Sequence, residues 1–225
     1  MVILHAIYRF QLPSRVPIDG NISYEQLAKE IGVDESIMRR IFRYAITNHL
    51  FCEIGGTHLV HSATSRMLAE SPMMMRWIGM VCEEMWPAAM KVVPGLMKWP
   101  GSKEPQHSGY ALANNLDTHL FGSLANEPER AARFADAMLY FNSAQDFAPH
   151  HLCDAFDWAQ VGKLVEVGGS TGNTAVILAS RFPKLQIVIQ DYAILEEQAR
   201  RSISKLTDCV TFMVHDVRQA MQHFA

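Results

Sequence analysis

The sequence predicts an α/β chain: a mainly helical N-terminal half followed by a small parallel sheet. Two observations carry this. The stretch Lys163 to Asp191 reads as strand, glycine turn, helix, strand and acid, the order of one βαβ unit. The residues before it alternate helical apolar spacing with proline and glycine breaks and hold only one short hairpin pattern. The chain has 225 residues, enough for one or two cores.

The first region, residues 1–70, reads as a winged helix. Ser23 is placed to cap a helix over YEQLAKEIG, with Gln26 three residues on as its capping-box partner, and Gly32 ends it. Asp34 is placed to cap a second helix, ESIMRRIFRYAITNHL, in which Ile37, Ile41, Tyr44 and Ala45 recur at helical spacing and are expected to face a core. FCEI-GG-THLV then predicts a hairpin turning at Gly55 and Gly56. Arg39, Arg40 and Arg43 sit where a recognition helix would place them. Acids offset the bases across residues 21–70, however, and phosphate binding requires a basic surplus. Nucleic-acid binding is therefore not expected.

Residues 71–155 read as helical, punctuated by Pro72, Pro87, Pro94, Pro100 and Pro105, with a loop from Gly101 to Gly109. Asn126 is the expected cap of a long helix with Pro128 in its first turn. Phe134, Met138 and Phe141 lie on its apolar side. Taken singly, each is accounted for by core packing.

Residues 156–225 form the predicted half-sheet. Strand one covers Leu164 to Val167, the next helix Asn173 to Arg181, strand two Gln186 to Gln190, a second helix Leu195 to Ile203, and strand three Val210 to Val214. Between strand one and its helix stand Gly168, Gly169, Ser170, Thr171 and Gly172. Glycine admits positive φ and close approach of a ligand to the backbone. Asp191 closes strand two about 20 residues past the turn, where an acid accepts from ribose hydroxyls. A G-x-G-x-x-G reading fits poorly, because Ser170 and Asn173 fall on its second and third glycines. The pattern E-x-G-G-S-x-G, opened by Glu166, is nearer the S-adenosylmethionine form.

The segments HHLCDAFDWAQVGKLVEVGGSTG, FPKLQIVIQD and VTFMVHD resemble the S-adenosylmethionine-dependent O-methyltransferases of fungal and plant small-molecule metabolism, the fungal branch more closely. The resemblance runs from about Leu4 to Phe224. It implies a class I methyltransferase, Rossmann-like sheet of which strands one to three are present, and it implies truncation at both ends. It implies that the winged helix is a dimerisation element and that Phe134 and Met138 line the acceptor pocket. It implies cofactor contacts from Glu166, Gly168, Gly169, Ser170, Gly172, Asp191, His215, Asp216 and Val217. The family's aromatic beyond the last acid is replaced here by Val217 and Arg218. The family's general-base histidine, in an L-H-D-W context, has no counterpart, so no catalytic residue is assigned.

The implied function is O-methylation of a phenolic or polyketide-like secondary metabolite by the complete enzyme, with the present chain inactive alone. The alternatives are a cofactor-binding relative with a non-methylating reaction, such as dehydration or pericyclisation, and a non-catalytic dimerising module. A homodimer is expected, or a second chain that supplies the missing half-domain. Four scattered cysteines without a C-x-x-C pair predict neither zinc nor disulfides. The histidine pairs His58/His61 and His150/His151 lack partner motifs, so no metal is expected. No apolar run is long enough for a membrane span, and with a net charge of -3 the expected location is the cytoplasm.

Overall fold

Helices dominate the structure, a computed structural model that describes residues 1–216. The chain divides into two units, Met1–Ser143 and Ala144–Ala225.

The first unit opens with α1 (Val2–Arg9), α2 (Leu12–Arg15), β1 (Ile22–Ser23), α3 (Tyr24–Ile31) and α4 (Glu35–Thr47). Ser23 caps α3 by accepting from the Gln26 amide at 3.0 Å, and Gly32 closes it at φ 77. The reciprocal half of the expected capping box does not form. The Gln26 side chain instead donates to Glu30 at 3.1 Å, one turn along the same face, where the acceptor is charged. Asp34 caps α4 through the Ser36 amide at 2.9 Å.

The core face of α4 differs from the sequence reading. Ala45 is buried as expected and Ile41 is half-buried against the core, but Ile37 is 48% and Tyr44 61% exposed, and Met38 and Phe42 are buried in their place. Both stripes have helical spacing. The buried one brings Phe42 edge-on to Phe51 at 4.8 Å and to Tyr24 at 6.1 Å, closing the aromatic centre of this core.

The hairpin forms as expected: β2 (Cys52–Ile54) and β3 (His58–Val60) turn through Gly55 at φ 59 and Gly56 at φ 70. β1 joins the other edge of β3, giving the antiparallel order β1-β3-β2. There follow α5 (Ala63–Glu70), α6 (Pro72–Met80), a π-helical turn (Val81–Met85), α7 (Trp86–Met90), α8 (Val92–Lys98), α9 (Gly109–Asn114), α10 (Leu120–Leu124) and α11 (Pro128–Ser143). Pro128 occupies the first helical position of α11, so the capping residue is Glu127, whose carbonyl accepts from the Ala131 amide at 2.9 Å. Asn126, the expected cap, instead donates its side-chain amide to the Gly122 carbonyl at 3.3 Å.

The π turn buries Glu84, which is 4% exposed. Its carboxylate accepts from Arg130 Nε at 2.9 Å and from Arg133 at 2.5 Å. Arg130 also donates to the Tyr110 hydroxyl at 2.8 Å, and Arg133 to the Tyr8 hydroxyl at 3.2 Å. Burial alone would push the Glu84 carboxyl up; the bonds from two guanidiniums outweigh it and hold the group below the usual carboxylate range. α6 runs along α11, with Trp77 stacked on Phe141 at 5.1 Å.

The second unit contains α12 (His150–Ala155), β4 (Lys163–Val167), α13 (Asn173–Arg181), β5 (Gln186–Asp191), α14 (Glu196–Ser202) and β6 (Val210–Val214). The strands are parallel in the order β4-β5-β6. Ala175, Leu178 and Ala179 of α13 and Ala199 of α14 share one core with Ile187, Ile189, Val210 and Phe212. Both crossover helices thus lie on one face of the sheet, as right-handed connections between successive neighbours require.

Candidate functional site

The carboxyl ends of β4, β5 and β6 converge on the glycine turn. The Gly168 amide donates to the Gln190 carbonyl at 2.7 Å, which hooks the turn onto β5. Gly168 has φ 73 and Gly172 φ 81. Space beneath the turn is tight. A Cβ on Gly169 would stand 2.9 Å from Glu166 Cδ, and one on Gly172 would stand 2.5 Å from Ile189 Cδ1. On the Cβ side of Gly168 nothing lies within 4 Å. Ser170 takes φ 52, a left-handed conformation that costs a non-glycine residue energy.

That strained conformation points the Ser170 amide at Asp191, whose Oδ2 accepts it at 2.8 Å. The other oxygen, Oδ1, accepts from the Tyr192 amide at 2.7 Å. Each carboxylate oxygen has two acceptor sites, so Asp191 is fixed by the backbone with one site left on each oxygen.

Glu166 plays a different part from Asp191. It accepts from the Thr174 hydroxyl and the Ala175 amide in the first turn of α13. Burial raises its carboxyl above the ordinary range, and these two bonds only partly offset that. Its Oε2 is buried without a partner. Beyond β6, the His215 amide donates to the Asp191 carbonyl at 2.9 Å and so extends the ladder by one rung. His215 is 8% exposed, and its Nε2 is buried without a partner. Asp216 follows directly, at the end of the described residues; Val217 lies outside them.

The structure therefore gathers Glu166, Gly168, Gly169, Ser170, Gly172, Asp191 and His215 around one set of strand ends. Phe134 and Met138 belong to the first unit, both half-buried on α11, one turn apart. Phe134 meets Phe121 edge-on at 5.9 Å. His119 caps α10, its Nδ1 accepting from the Gly122 amide at 3.3 Å. Gln190 and Thr174 touch this constellation without having been marked by the sequence: one sits inside an apolar strand, the other in a helix start with no motif of its own. An apolar groove of about 440 Å³, lined by Leu152, Phe156, Trp158, Val161 and Leu164, opens at the other end of β4. Ligands of such sheets bind outside the carboxyl ends, so this groove is not the cofactor site. Among the described residues, no cluster of three or more metal-ligating side chains occurs, and no helix is long and apolar enough to cross a membrane.

Residues 104–222 match the family described as O-methyltransferase domain. The chain belongs to this family. Among curated proteins it is 36% identical over 205 residues to O-methyltransferase aunD of Aspergillus niger, covering 90% of this chain and 48% of that one. It is 35% identical over 220 residues to the grayanic acid biosynthesis cluster O-methyltransferase of Cladonia grayi, covering 95% and 45%. The chain thus spans about half the length of the curated relatives it matches. Among solved structures, mitomycin 7-O-methyltransferase MmcR superposes with a TM-score of 0.75 at 19% identity, covering 99% of this chain and 64% of that one. The complex of LepI with SAM superposes with a TM-score of 0.62, also at 19% identity, covering 96% and 57%. At such identities the likeness is one of fold, and that fold is the Rossmann-like one of class I methyltransferases.

Proposed function

We propose that the whole protein transfers a methyl group from S-adenosylmethionine to a hydroxyl of a phenolic or polyketide-like small molecule. The observation that carries this reading is the joint between the turn and the acid: the Ser170 amide bonded to Asp191, with one acceptor site left on each carboxylate oxygen. Adjacent ribose hydroxyls need two acceptors side by side. The turn from Gly168 to Gly172 supplies backbone that a ligand approaches closely, and its glycines are those a Cβ would strain or block.

In this reading Asp191 holds the ribose, the turn faces the methionine portion, and Asp216 and Val217 take the adenine. Glu166 acts from beneath, by fixing the first turn of α13. When bound, the cofactor supplies an electrophilic methyl group on a sulfonium. The protein's own share is to hold two molecules in line and to exclude water. Phe134 and Met138 contribute to the acceptor side. The winged-helix region, residues 1–70, with the following helices builds a homodimer. The relatives' printed names fit this reading, since they are O-methyltransferases from fungi.

Calorimetric titration with S-adenosylhomocysteine tests the cofactor assignment. Asp191→Ala removes two charge-assisted bonds of about 1.5–3 kcal/mol each, so affinity should fall at least about tenfold. Unchanged affinity in a folded Asp191→Ala variant would overturn it. Release of S-adenosylhomocysteine during turnover separates methylation from a non-methylating reaction on the same fold.

A further inference from the structure

Three rings of the first unit stand in series at the start of α10 and on α11. Phe121 meets Phe134 edge-on at 5.9 Å, with the two planes 88° apart, and His119 meets Phe121 edge-on at 6.4 Å. Met138 lies one turn beyond Phe134 on α11. The middle ring is the open one: Phe121 is 59% exposed. An exposed ring held between two others presents a fixed apolar wall, of the kind on which a further ring stacks or packs edge-on.

His119 adds a polar atom of defined character to that wall. Helix caps are ordinarily Ser, Thr, Asp or Asn, whose side-chain oxygen accepts from the first turn. Here the imidazole takes that part, with Nδ1 accepting from the Gly122 amide at 3.3 Å. Gly122 permits the close fold of this turn, since a Cβ there would run into Thr118 Oγ1. A neutral imidazole that accepts at Nδ1 carries its proton at Nε2. The single lone pair of the ring is therefore committed to the backbone, and His119 in this arrangement has no basic nitrogen to offer a hydroxyl. What it does offer is a donor, Nε2–H, oriented by the cap. Among the described residues that nitrogen has no hydrogen-bond partner, and it is not sealed from solvent.

We infer that His119 reads the acceptor molecule: its Nε2–H donates to an oxygen of the molecule while Phe121 and Phe134 pack against its ring. The substrate class narrows accordingly. An aromatic ring that bears a hydrogen-bond acceptor, such as the carbonyl of an acylphenol, fits this donor better than an alkylphenol does. The role is recognition without proton transfer, because Nδ1 stays on the Gly122 amide throughout. This rests on the reading above that Phe134 and Met138 contribute to the acceptor side.

Two measurements on the 225-residue chain test the inference. Nitrogen-15 NMR of the imidazole reads the tautomer without any ligand, and a proton on Nε2 is expected. NMR-detected titration then compares 2,4-dihydroxyacetophenone with 4-ethylresorcinol, which share one skeleton and differ by the carbonyl oxygen. The wild type should bind the ketone about 3- to 10-fold more tightly, the worth of one hydrogen bond. His119→Ser keeps a capping oxygen but is too short to replace the ring donor; it should lose the preference and bind 4-ethylresorcinol as before. Phe121→Leu should weaken both phenols equally. A proton on Nδ1, a preference that survives His119→Ser, or an equal loss of both phenols in that variant would overturn the inference. Binding of both phenols by the wild type without preference would also overturn it and leave the acceptor-side reading standing. Binding of neither would overturn that reading, and this inference with it.

Discussion

Substituting Gly172 by alanine tests whether the turn is shaped by what lies beneath it. The backbone there has φ +81, and a Cβ would meet Ile189 Cδ1 at 2.5 Å. Left-handed backbone costs an L-residue about 1–2 kcal/mol, and forcing a methyl into a filled core costs about 1–3 kcal/mol. Gly172→Ala should therefore destabilise the second unit by about 2–5 kcal/mol in total. The two contributions separate in one further step. Ile189→Val deletes the Cδ1 carbon and by itself costs about 0.5–1.5 kcal/mol. In an Ile189→Val background, Gly172→Ala loses the steric part and retains only the backbone part, so the two substitutions should couple by about 1–3 kcal/mol. Amide hydrogen exchange at the amides of β4, β5 and β6 is the suitable assay, because it reads this unit apart from the first. A cost for Gly172→Ala that is the same in both backgrounds would refute the reasoning, since the strain would then not arise at Ile189.

Three more outcomes are expected. Glu84→Leu removes the buried acceptor that Arg130 and Arg133, both half-buried, share; because Arg130 keeps Glu127 at 2.6 Å, the first unit should lose about 3 kcal/mol, the low end for a broken buried pair. Since the Glu84 carboxyl is held below its ordinary value of 4.5, its contribution is fully present above that pH and is lost as pH falls through the lowered value; denaturant melts from pH 6 to pH 3, a range of roughly the carboxylate titration, should lose this acid limb in the variant. Val93, Leu96 and Met97 of α8 are 64%, 66% and 78% exposed, and an apolar face of this kind fits the proposed homodimer. Sedimentation should show a dimer at tens of micromolar, roughly the range in which a standard interface is filled, and Leu96→Asp should shift it to monomer; a wild-type monomer would count against the proposal. The 225-residue chain alone, half the length of its relatives, should methylate a phenol panel at no more than background in a radiolabel assay, since a general base alone contributes about 10²–10⁴-fold. Turnover by the short chain would contradict this.

The second unit was legible almost residue by residue, and the reason is local. A glycine turn between apolar runs permits one reading, and the predicted helix Asn173 to Arg181 matches α13. The first unit was less legible where the determinants are distant. On α4 Ile37, Ile41, Tyr44 and Ala45 have helical spacing, but so do Met38, Phe42 and Ala45, and only the position of Phe51, nine residues after Phe42 in the chain and across the core from it, selects the second set. Glu84 stands in an apolar, methionine-rich run between Met73 and Met97. Its partners are 46 and 49 residues away, on α11, and no spacing announces them. Within the candidate site, Asp191 was marked by its place after a strand. Gln190 was not, since it meets the turn through its backbone carbonyl, which no side-chain pattern announces.

The register of the parallel sheet has a consequence for how it assembles. Gln190 and Met213 are 23 residues apart, and the pairs Lys163–Gln186 and Ile187–Val210 have the same separation. Loop-closure entropy grows with the logarithm of that separation, so zipping β4 onto β5 and zipping β6 onto β5 carry equal entropic barriers. Chain topology thus leaves the order of events undecided, and the transition state is set by side chains. β5 buries Ile187, Val188, Ile189 and Gln190 in succession, whereas β4 is at most half-buried along its length. The β5–β6 ladder closes with Val210 and Phe212 buried against it, so φ-values in β6 should exceed those in β4.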